Sequence, residues 1–332
     1  MTFIVDSSDW AFAGLSSNEI ESLLENALEF VETSVQRGEE VLIGENLQIQ
    51  SVYDSLSLWD LFGPSAPLHD CHDLRQELAA WLGKADLYFE AYPWPDNFDM
   101  SQLSIDDMPD TENHDVLWAH CWILEGNIVA CFRLNRSQVS KITSRGGTST
   151  LHFVSSDGAR KEFWREMIKN SGSDIDQLIH LAAHAFPQLH FVEGALQSAD
   201  RLGGGYIASR PRLMNALSIL NDSGAWALTY PPPAVTPDET TPVAHSITPN
   251  DHLVGRRFHA FGLNAAPEHP NVRLNRSARE ARETRIGERT LYCEWHIKLE
   301  PHRNRIHFHG PVAESNNKLV IGMIHEHLPL PG

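Results

Sequence analysis

Apolar residues recur every three or four positions along several stretches of the chain, a spacing that is typical of amphipathic helices. The clearest stretch follows Ser16, which fits the cap position of a capping box with Glu19, and it ends before Gly38. Pro211 stands near the start of another such stretch, where a proline is tolerated. The same spacing predicts four further helices, over residues 72–82, 174–185, 211–220 and 252–263.

Other stretches alternate between apolar and polar residues or stay apolar throughout, which predicts strands. Residues 3–5 form one short candidate strand. The run VLWAHCWILEGNIVACFRL predicts two strands around the turn Glu125-Gly126-Asn127, and STLHFVSSDGARKEFWREM predicts a hairpin that turns at Asp157-Gly158. The acidic, turn-rich residues 93–113 predict a surface loop. Helices and strands together predict an α+β fold.

The strongest alternation lies near the C-terminus. Its apolar positions are Leu291, Cys293, Trp295, Ile297, Leu299, Ile306 and Phe308. Its polar positions are Tyr292, Glu294, His296, Lys298, Arg305, His307 and His309. If both strands turn their apolar sides to one core, the simplest register pairs His296 with His307, Lys298 with Arg305 and Glu294 with His309. The next strand, KLVIGMIH, is apolar on both faces and is predicted to lie inside the same small antiparallel sheet, with helices on one side.

The polar face of these two strands is the main candidate for a functional site. Three histidines and two cations make it chemically richer than an ordinary solvated face. Cations that lie opposite each other, such as Lys298 and Arg305, cost stability unless an anion lies between them, and phosphate is the natural anion. A structural or merely solvated face is the alternative.

Charge is distributed unevenly along the chain. Residues 1–150 carry 25 Asp and Glu against 7 Lys and Arg, whereas residues 251–332 carry 9 against 12 together with nine of the eighteen histidines. The proline- and threonine-rich stretch between them predicts a linker. We therefore expect an acidic N-terminal α+β domain with a helical middle over residues 1–230, a linker over residues 231–250, and a basic, histidine-rich α+β module over residues 251–332.

Composition excludes several classes of protein. No apolar run reaches the roughly 18 residues needed to span a membrane, and the N-terminus does not read as a secretory leader, so we expect a cytoplasmic protein without a membrane partner. The four cysteines are far apart and form no CxxC pair, so neither a disulfide framework nor a zinc ribbon is expected. We predict no cofactor.

Two local motifs have simple structural explanations. Asp6 follows a strand, as in PIN-type nucleases, but those enzymes need several more carboxylates brought together, so a capping or turn aspartate is expected. The run Gly203-Gly204-Gly205 precedes a helix, yet it lacks the lysine of a Walker loop and the spacing of a dinucleotide fingerprint, so a flexible start of a helix is expected.

A third motif concerns metals. His307-x-His309-x4-Glu314 resembles the first metal motif of the cupin barrels, but only ten residues follow Gly322, so a cupin barrel cannot close. Another metal site, with His296 or His325 as a third nitrogen ligand, is left open by the sequence.

The closing strands RIHF and KLVIGMI, together with the polar face, resemble the metal-independent ribonuclease toxins of the RelE/HigB and barnase-like group over about the last 80 residues. The face suits RNA cleavage through the 2′-hydroxyl, with His296 and His307 as general acid and base, Glu294 as an alternative base, and Lys298 and Arg305 stabilising the phosphate. Tyr292 and His309 are predicted to bind substrate.

Arginines recur every three residues upstream of this face, from Arg273 through Arg279 and Arg282 to Arg285. On one helix they would track a nucleic-acid backbone, and we therefore assign Arg279 and Arg282 to substrate binding. A solvated helix paired with Glu280 and Glu283 is the alternative.

The leading functional prediction is a metal-independent endoribonuclease effector, such as a toxin or a phage-defence component, whose partner is RNA or another nucleic acid. The acidic N-terminal half is predicted to recruit a protein partner or to restrain the basic module. One alternative is a non-catalytic nucleic-acid-binding or scaffolding subunit of a defence complex. Another is a metal-dependent hydrolase that uses His307 and His309.

Overall fold

The computed structural model of the protein describes residues 1–96, 98–109, 113–170, 175–229 and 250–331. Helices and mixed sheets are both present, so the predicted α+β class is confirmed. The chain divides into two compact units, Met1–Phe163 and Trp164–Gly332. This division differs from the predicted one at residues 231–250, and the predicted linker stretch 231–249 lies outside the described residues.

The described residues of the first unit form nine strands and four complete helices, and a fifth helix begins in this unit. The helices are α1 Ser17–Gln36, α2 His72–Leu82, α3 Tyr88–Ala91, α4 His114–Leu124 and α5 Asp157–Asn170. The strands are β1 Thr2–Val5, β2 Glu40–Leu42, β3 Ser51–Tyr53, β4 Leu56–Ser57, β5 Ser104–Ile105, β6 Met108–Pro109, β7 Val129–Phe132, β8 Gln138–Ser144 and β9 Gly147–Val154. The predicted capping box is present, because the Ser16 side chain accepts from the Glu19 amide and the Glu19 side chain accepts from the Ser16 amide.

Seven of these strands form one mixed sheet in the order β2-β1-β7-β9-β8-β5-β6. The first four are mutually parallel, and the remaining pairings are antiparallel. Helix α4 packs on this sheet with residues 115–122 all buried, and Trp118 lies at the centre of its core cluster. Strands β1 and β7 are buried along their whole length, which explains why they are almost entirely apolar.

Two predicted hairpins of this unit are wrong. Residues 116–124 belong to helix α4, which Asn113 caps by accepting a hydrogen bond from the Val116 amide, and only residues 129–132 form a strand. An apolar run has no periodicity that separates a buried helix from a strand. Asp157 begins α5 instead of a turn, and the Ser156 hydroxyl accepts from the Ala159 amide at the start of that helix. The predicted loop over residues 93–113 contains the short strands β5 and β6.

The second unit contains the following elements after α5. Its helices are α6 Ile175–Ala185, α7 Gly205–Ala227, α8 Asp251–Ala260, α9 Pro270–Leu274 and α10 Arg276–Glu280. Its strands are β10 Leu189–Phe191, β11 Ala265–Pro267, β12 Glu283–Ile286, β13 Arg289–Tyr292, β14 Trp295–Lys298, β15 Arg305–His309 and β16 Leu319–His325. Helix α7 begins before Pro211, which therefore lies inside the helix and not at its start.

Five strands form the sheet of this unit in the order β10-β16-β15-β14-β11, and β12 pairs with β13 in a separate hairpin. Strand β16 lies inside the sheet, as predicted, and its outer neighbour β10 comes from the helical middle of the chain and runs parallel to it. This pairing explains why the helical middle belongs to the same compact unit as the C-terminal strands. On the buried face, Phe308 packs edge-on against Phe258 of α8.

Candidate metal centre

The hairpin of β14 and β15 brings two histidines together across the strands. His296 lies opposite His307, with ring centroids 5.6 Å apart, and Lys298 lies opposite Arg305. Trp295 and Phe308 also pair, and both are buried on the other face of the sheet. The predicted register of these positions and their common face are therefore confirmed.

The predicted strand over residues 290–299 is interrupted. Tyr292 ends β13 in the β12–β13 hairpin, and Glu294 lies between β13 and β14. The β14–β15 ladder begins at the pair Trp295–Phe308, so the predicted pairing of Glu294 with His309 does not form, and His309 pairs with Val320 instead. The two strand halves belong to different sheets, which alternation alone could not reveal.

A third polar side chain, which the sequence did not point to, reaches the two histidines. Strand β11 runs antiparallel to β14 with Ala266 opposite His296. Glu268 follows two positions later, and its amide donates to the Glu294 carbonyl at 2.7 Å, which continues the pairing. Because side chains two residues apart share a face, Glu268 and His296 lie on the same side of the sheet.

The three side chains converge on a small volume. Glu268 Oε1 lies 3.1 Å from His296 Nδ1 and 3.3 Å from His307 Nδ1, and the donor atoms of all three residues lie within 4.8 Å of one another. Among the described residues, this is the one group of three or more His, Cys, Asp or Glu side chains with such convergence.

The contacts of Glu268 with His296 and His307 are close, but they do not meet the geometry of hydrogen bonds. Both Nδ1 atoms and Nε2 of His307 are buried without a hydrogen-bond partner among the described residues. Ligands about 2.1 Å from a metal ion lie roughly 3.0 to 3.4 Å apart in octahedral or tetrahedral arrangements. The separations of 3.1 and 3.3 Å therefore match those of atoms that share a metal ion.

The charge states of His307 and Glu268 near neutral pH also favour metal binding. Burial lowers the pKa of His307 to about 4, more than the nearby Glu268 carboxylate raises it, so its imidazole is neutral at pH 7. Burial raises the pKa of Glu268, but the close nitrogens of His296 and His307 lower it by more, so this carboxyl stays ionised. A neutral imidazole and a carboxylate are the forms that bind metal ions.

Two further polar groups surround the cluster. Arg282, only 3% exposed, places Nε 3.1 Å from Glu268 Oε1, and its NH1 donates to the carbonyls of Ala278 and Pro329. The hydroxyl of Tyr292 is buried without a partner among the described residues. Burial raises the pKa of Tyr292, and the Glu268 charge adds to that effect, so the hydroxyl keeps its proton at neutral pH.

The open face predicted for all seven polar positions is corrected by these observations. His307 is 1% exposed and His296 is 9% exposed, because residues after β11 and α10 cover them. The other five positions are partly buried: Glu294 forms an exposed ion pair with Arg273, and His309 has Nδ1 beside the Gly310 carbonyl.

The predicted arginine stripe on one helix is also wrong. Helix α9 ends at Leu274, α10 ends at Glu280, and the following residues enter β12. Arg279 makes an exposed ion pair with Glu283, as the alternative explanation expected, whereas Arg282 is internal. The repeat of three residues therefore does not produce a continuous cationic surface.

The remaining sequence motifs have structural roles. The Asp6 carboxylate accepts from Arg133 Nε at 2.6 Å, from Asn113 and from Ser8, so its oxygens are already used. The Gly203 amide donates to Asn304, which fixes the turn before α7. Glu314 of the cupin-like motif pairs with Arg289 at 2.9 Å instead of with the histidines.

No helix among the described residues is long and apolar enough to cross a membrane. Comparison of the chain with protein-family models, with curated proteins and with solved structures gives no match. The functional conclusion therefore depends on the geometry of the site itself.

Proposed function

We propose that the second unit is a metal-dependent hydrolase whose metal ion is bound by Glu268, His296 and His307. The observation that carries this proposal is the convergence of one carboxylate oxygen and two imidazole nitrogens, at separations of 3.1 and 3.3 Å, with the nitrogens buried and without hydrogen bonds to any described residue. Leaving two such nitrogens unpaired inside a protein costs free energy, and a metal ion would satisfy both of them.

The donor set points to a class of metal and to a class of reaction. Two imidazoles and one carboxylate suit zinc, iron(II), cobalt(II) or manganese(II) better than magnesium or calcium. Closed structural zinc sites use four protein ligands, whereas catalytic sites use three and keep a position for water or substrate. A metal ion in such a site lowers the pKa of the water it binds.

The surrounding residues fit a hydrolytic role. The Tyr292 hydroxyl is protonated and has no partner in the described part of the chain, so it can donate a hydrogen bond to a substrate oxygen near the cluster. Arg282 holds the Glu268 carboxylate in place through its contact at 3.1 Å, and its own position is fixed by two backbone carbonyls. Outer-shell partners of this kind orient metal ligands.

Metal binding by the full chain tests the proposal. Chelator-treated protein is titrated with Zn²⁺, Co²⁺ and Mn²⁺ by calorimetry, and Co²⁺ binding is also followed by its visible spectrum. His296→Ala and His307→Ala should each weaken binding by more than about 100-fold, the upper end of the loss expected for an outer-shell partner. His302→Ala, in the exposed turn between β14 and β15, is the matched control and should bind as the unaltered protein does. Equal affinity in all four proteins would overturn the proposal.

RNA assays separate this function from those predicted by the sequence. Cleavage of single-stranded RNA that stops with chelator and returns with one metal ion supports the metal-dependent hydrolase. Cleavage that persists in chelator and is lost in His296→Ala supports the metal-independent ribonuclease instead. RNA binding without cleavage under either condition supports the non-catalytic subunit. A protein partner for the acidic half stays a prediction.

A further inference from the structure

Two cations lie next to the metal centre on the same face of the sheet. Lys298 and Arg305 are opposite each other in the β14–β15 ladder, and Arg305 is also opposite His325 of β16. Each of the three is half-buried. Lys298 lies two positions after His296 on β14, and Arg305 lies two positions before His307 on β15. Two positions span roughly 7 Å of strand and return to the same face, so both cations lie on the face of the metal centre.

These cations lack the partners that such an arrangement ordinarily needs. Neither the Lys298 ammonium nor the Arg305 guanidinium makes a hydrogen bond or an ion pair with another described residue, although the Lys298 amide donates to the Asn264 carbonyl. The nearby Glu300 carboxylate instead binds Arg303 at 2.9 Å and Arg212 at 3.3 Å. Glu326, the other acid at this end of the sheet, lies against the backbone of Gly203. Like charges directly opposite each other destabilise a sheet, so this pair is costly in the absence of an anion.

A phosphate matches the position better than a carboxylate does. Lys298 and Arg305 are basic side chains and His325 can add a third donor, so the row offers up to three nitrogen donors in a line across three strands. A phosphate dianion has three oxygens for such donors, and arginine binds it through two parallel N–H groups. A carboxylate has one charge and two oxygens, which leaves part of the row unpaired.

We propose that Lys298 and Arg305, with His325 beside them, bind a phosphate group of the substrate next to the ion held by Glu268, His296 and His307. This inference rests on the proposed hydrolase function and narrows it to phosphoesters. The metal centre would then lie at the ester bond, and the cations would hold the phosphate oxygens that carry the charge.

Phosphate binding by the full chain tests the inference separately from metal binding. Calorimetry with inorganic phosphate is carried out in chelator and again with saturating Zn²⁺, and acetate serves as the carboxylate probe. Lys298→Gln and Arg305→Gln should each weaken phosphate binding by about 10-fold or more in both conditions, because each removes a charge-assisted contact. Arg276→Gln is the matched control, since Arg276 is 92% exposed and pairs within its helix with Glu280. It should bind phosphate like the unaltered protein.

Folding provides a second readout with the opposite sign. Without phosphate, Lys298→Gln removes the repulsion by Arg305 and should raise the melting temperature, whereas added phosphate should raise it less for Lys298→Gln than for the unaltered protein. Phosphate affinity that is equal in the unaltered protein and in Lys298→Gln and Arg305→Gln overturns the inference, even if metal binding is intact. Acetate binding as tight as phosphate binding overturns the assignment to phosphoesters. Phosphate binding that depends on both cations in a protein without metal affinity would support this inference while the metal proposal fails.

Discussion

Glu268→Gln should destabilise the second unit strongly, even in protein that carries no metal. The substitution keeps the size of the side chain but removes the negative charge that faces Arg282 at 3.1 Å. The two side chains are 6% and 3% exposed, so water cannot replace the lost charge. The guanidinium would then be a buried, unpaired cation.

The size of the effect follows from that burial. Removing one partner of a buried ion pair costs about 3–5 kcal/mol, because the remaining charge keeps its desolvation penalty. Arg282 retains hydrogen bonds to the carbonyls of Ala278 and Pro329, so we expect the lower end, about 3 kcal/mol. Glu294→Gln provides the matched comparison, since Glu294 and its partner Arg273 are 43% and 59% exposed and an exposed pair contributes less than about 1 kcal/mol.

The free energy of unfolding is measured in urea with chelator present. Since the chain has two compact units, hydrogen exchange of peptides that cover β14 and β15 reports the second unit on its own. Adding Arg282→Met to Glu268→Gln should recover much of the loss, because it removes the unpaired charge. Equal losses for Glu268→Gln and Glu294→Gln, or no recovery in the double variant, would refute the reasoning.

Two further predictions concern buried groups elsewhere. Burial lowers the pKa of His120, which lies between the hydroxyls of Ser144 and Ser149, so the unfolded chain takes up this proton at a higher pH than the folded chain does. Stability is therefore lost as pH falls below about 6.5, and His120→Gln should flatten that loss in urea unfolding measured at several pH values; an unchanged slope contradicts it. Gly322→Ala should cost about 1–3 kcal/mol, because the new methyl group would overlap the Cys293 sulfur, and Cys293→Ala should relieve the cost; a loss that persists in the double variant contradicts the explanation.

The sequence predicted correctly those helices and strands whose pattern of apolar residues fits only one type of secondary structure. The amphipathic helices α1, α2 and α8 and the register of β14 with β15 all follow from spacing or parity. Helix α4 could not be distinguished from a strand, because it is buried on nearly all sides and carries apolar residues on all of its faces. The boundary between the units was also hidden, because it depends on the pairing of β10 with β16 across the whole helical middle.

Only the two histidines of the candidate site could be predicted from the pattern of residues along the chain. His296 and His307 are close in sequence and follow one alternation, so their meeting could be derived. Glu268 comes from the segment after β11, a strand of three residues that lacks any alternation, and only the fold shows that it pairs with β14. Burial of the site depends in turn on Arg282, whose three-residue spacing from other arginines suggested solvent exposure.

The short strand β10 protects the C-terminal sheet from self-association. It covers the outer side of β16, pairing Leu189 with Leu319 and Phe191 with Ile321, and the residues of β16 that it covers are almost completely buried. A polypeptide of residues 251–332 alone would present this apolar strand as an open edge with unpaired amides, which is a template for aggregation. Without the helical middle, we therefore expect the molecules to form fibrous or amorphous aggregates, even while His296 and His307 still face each other within each hairpin.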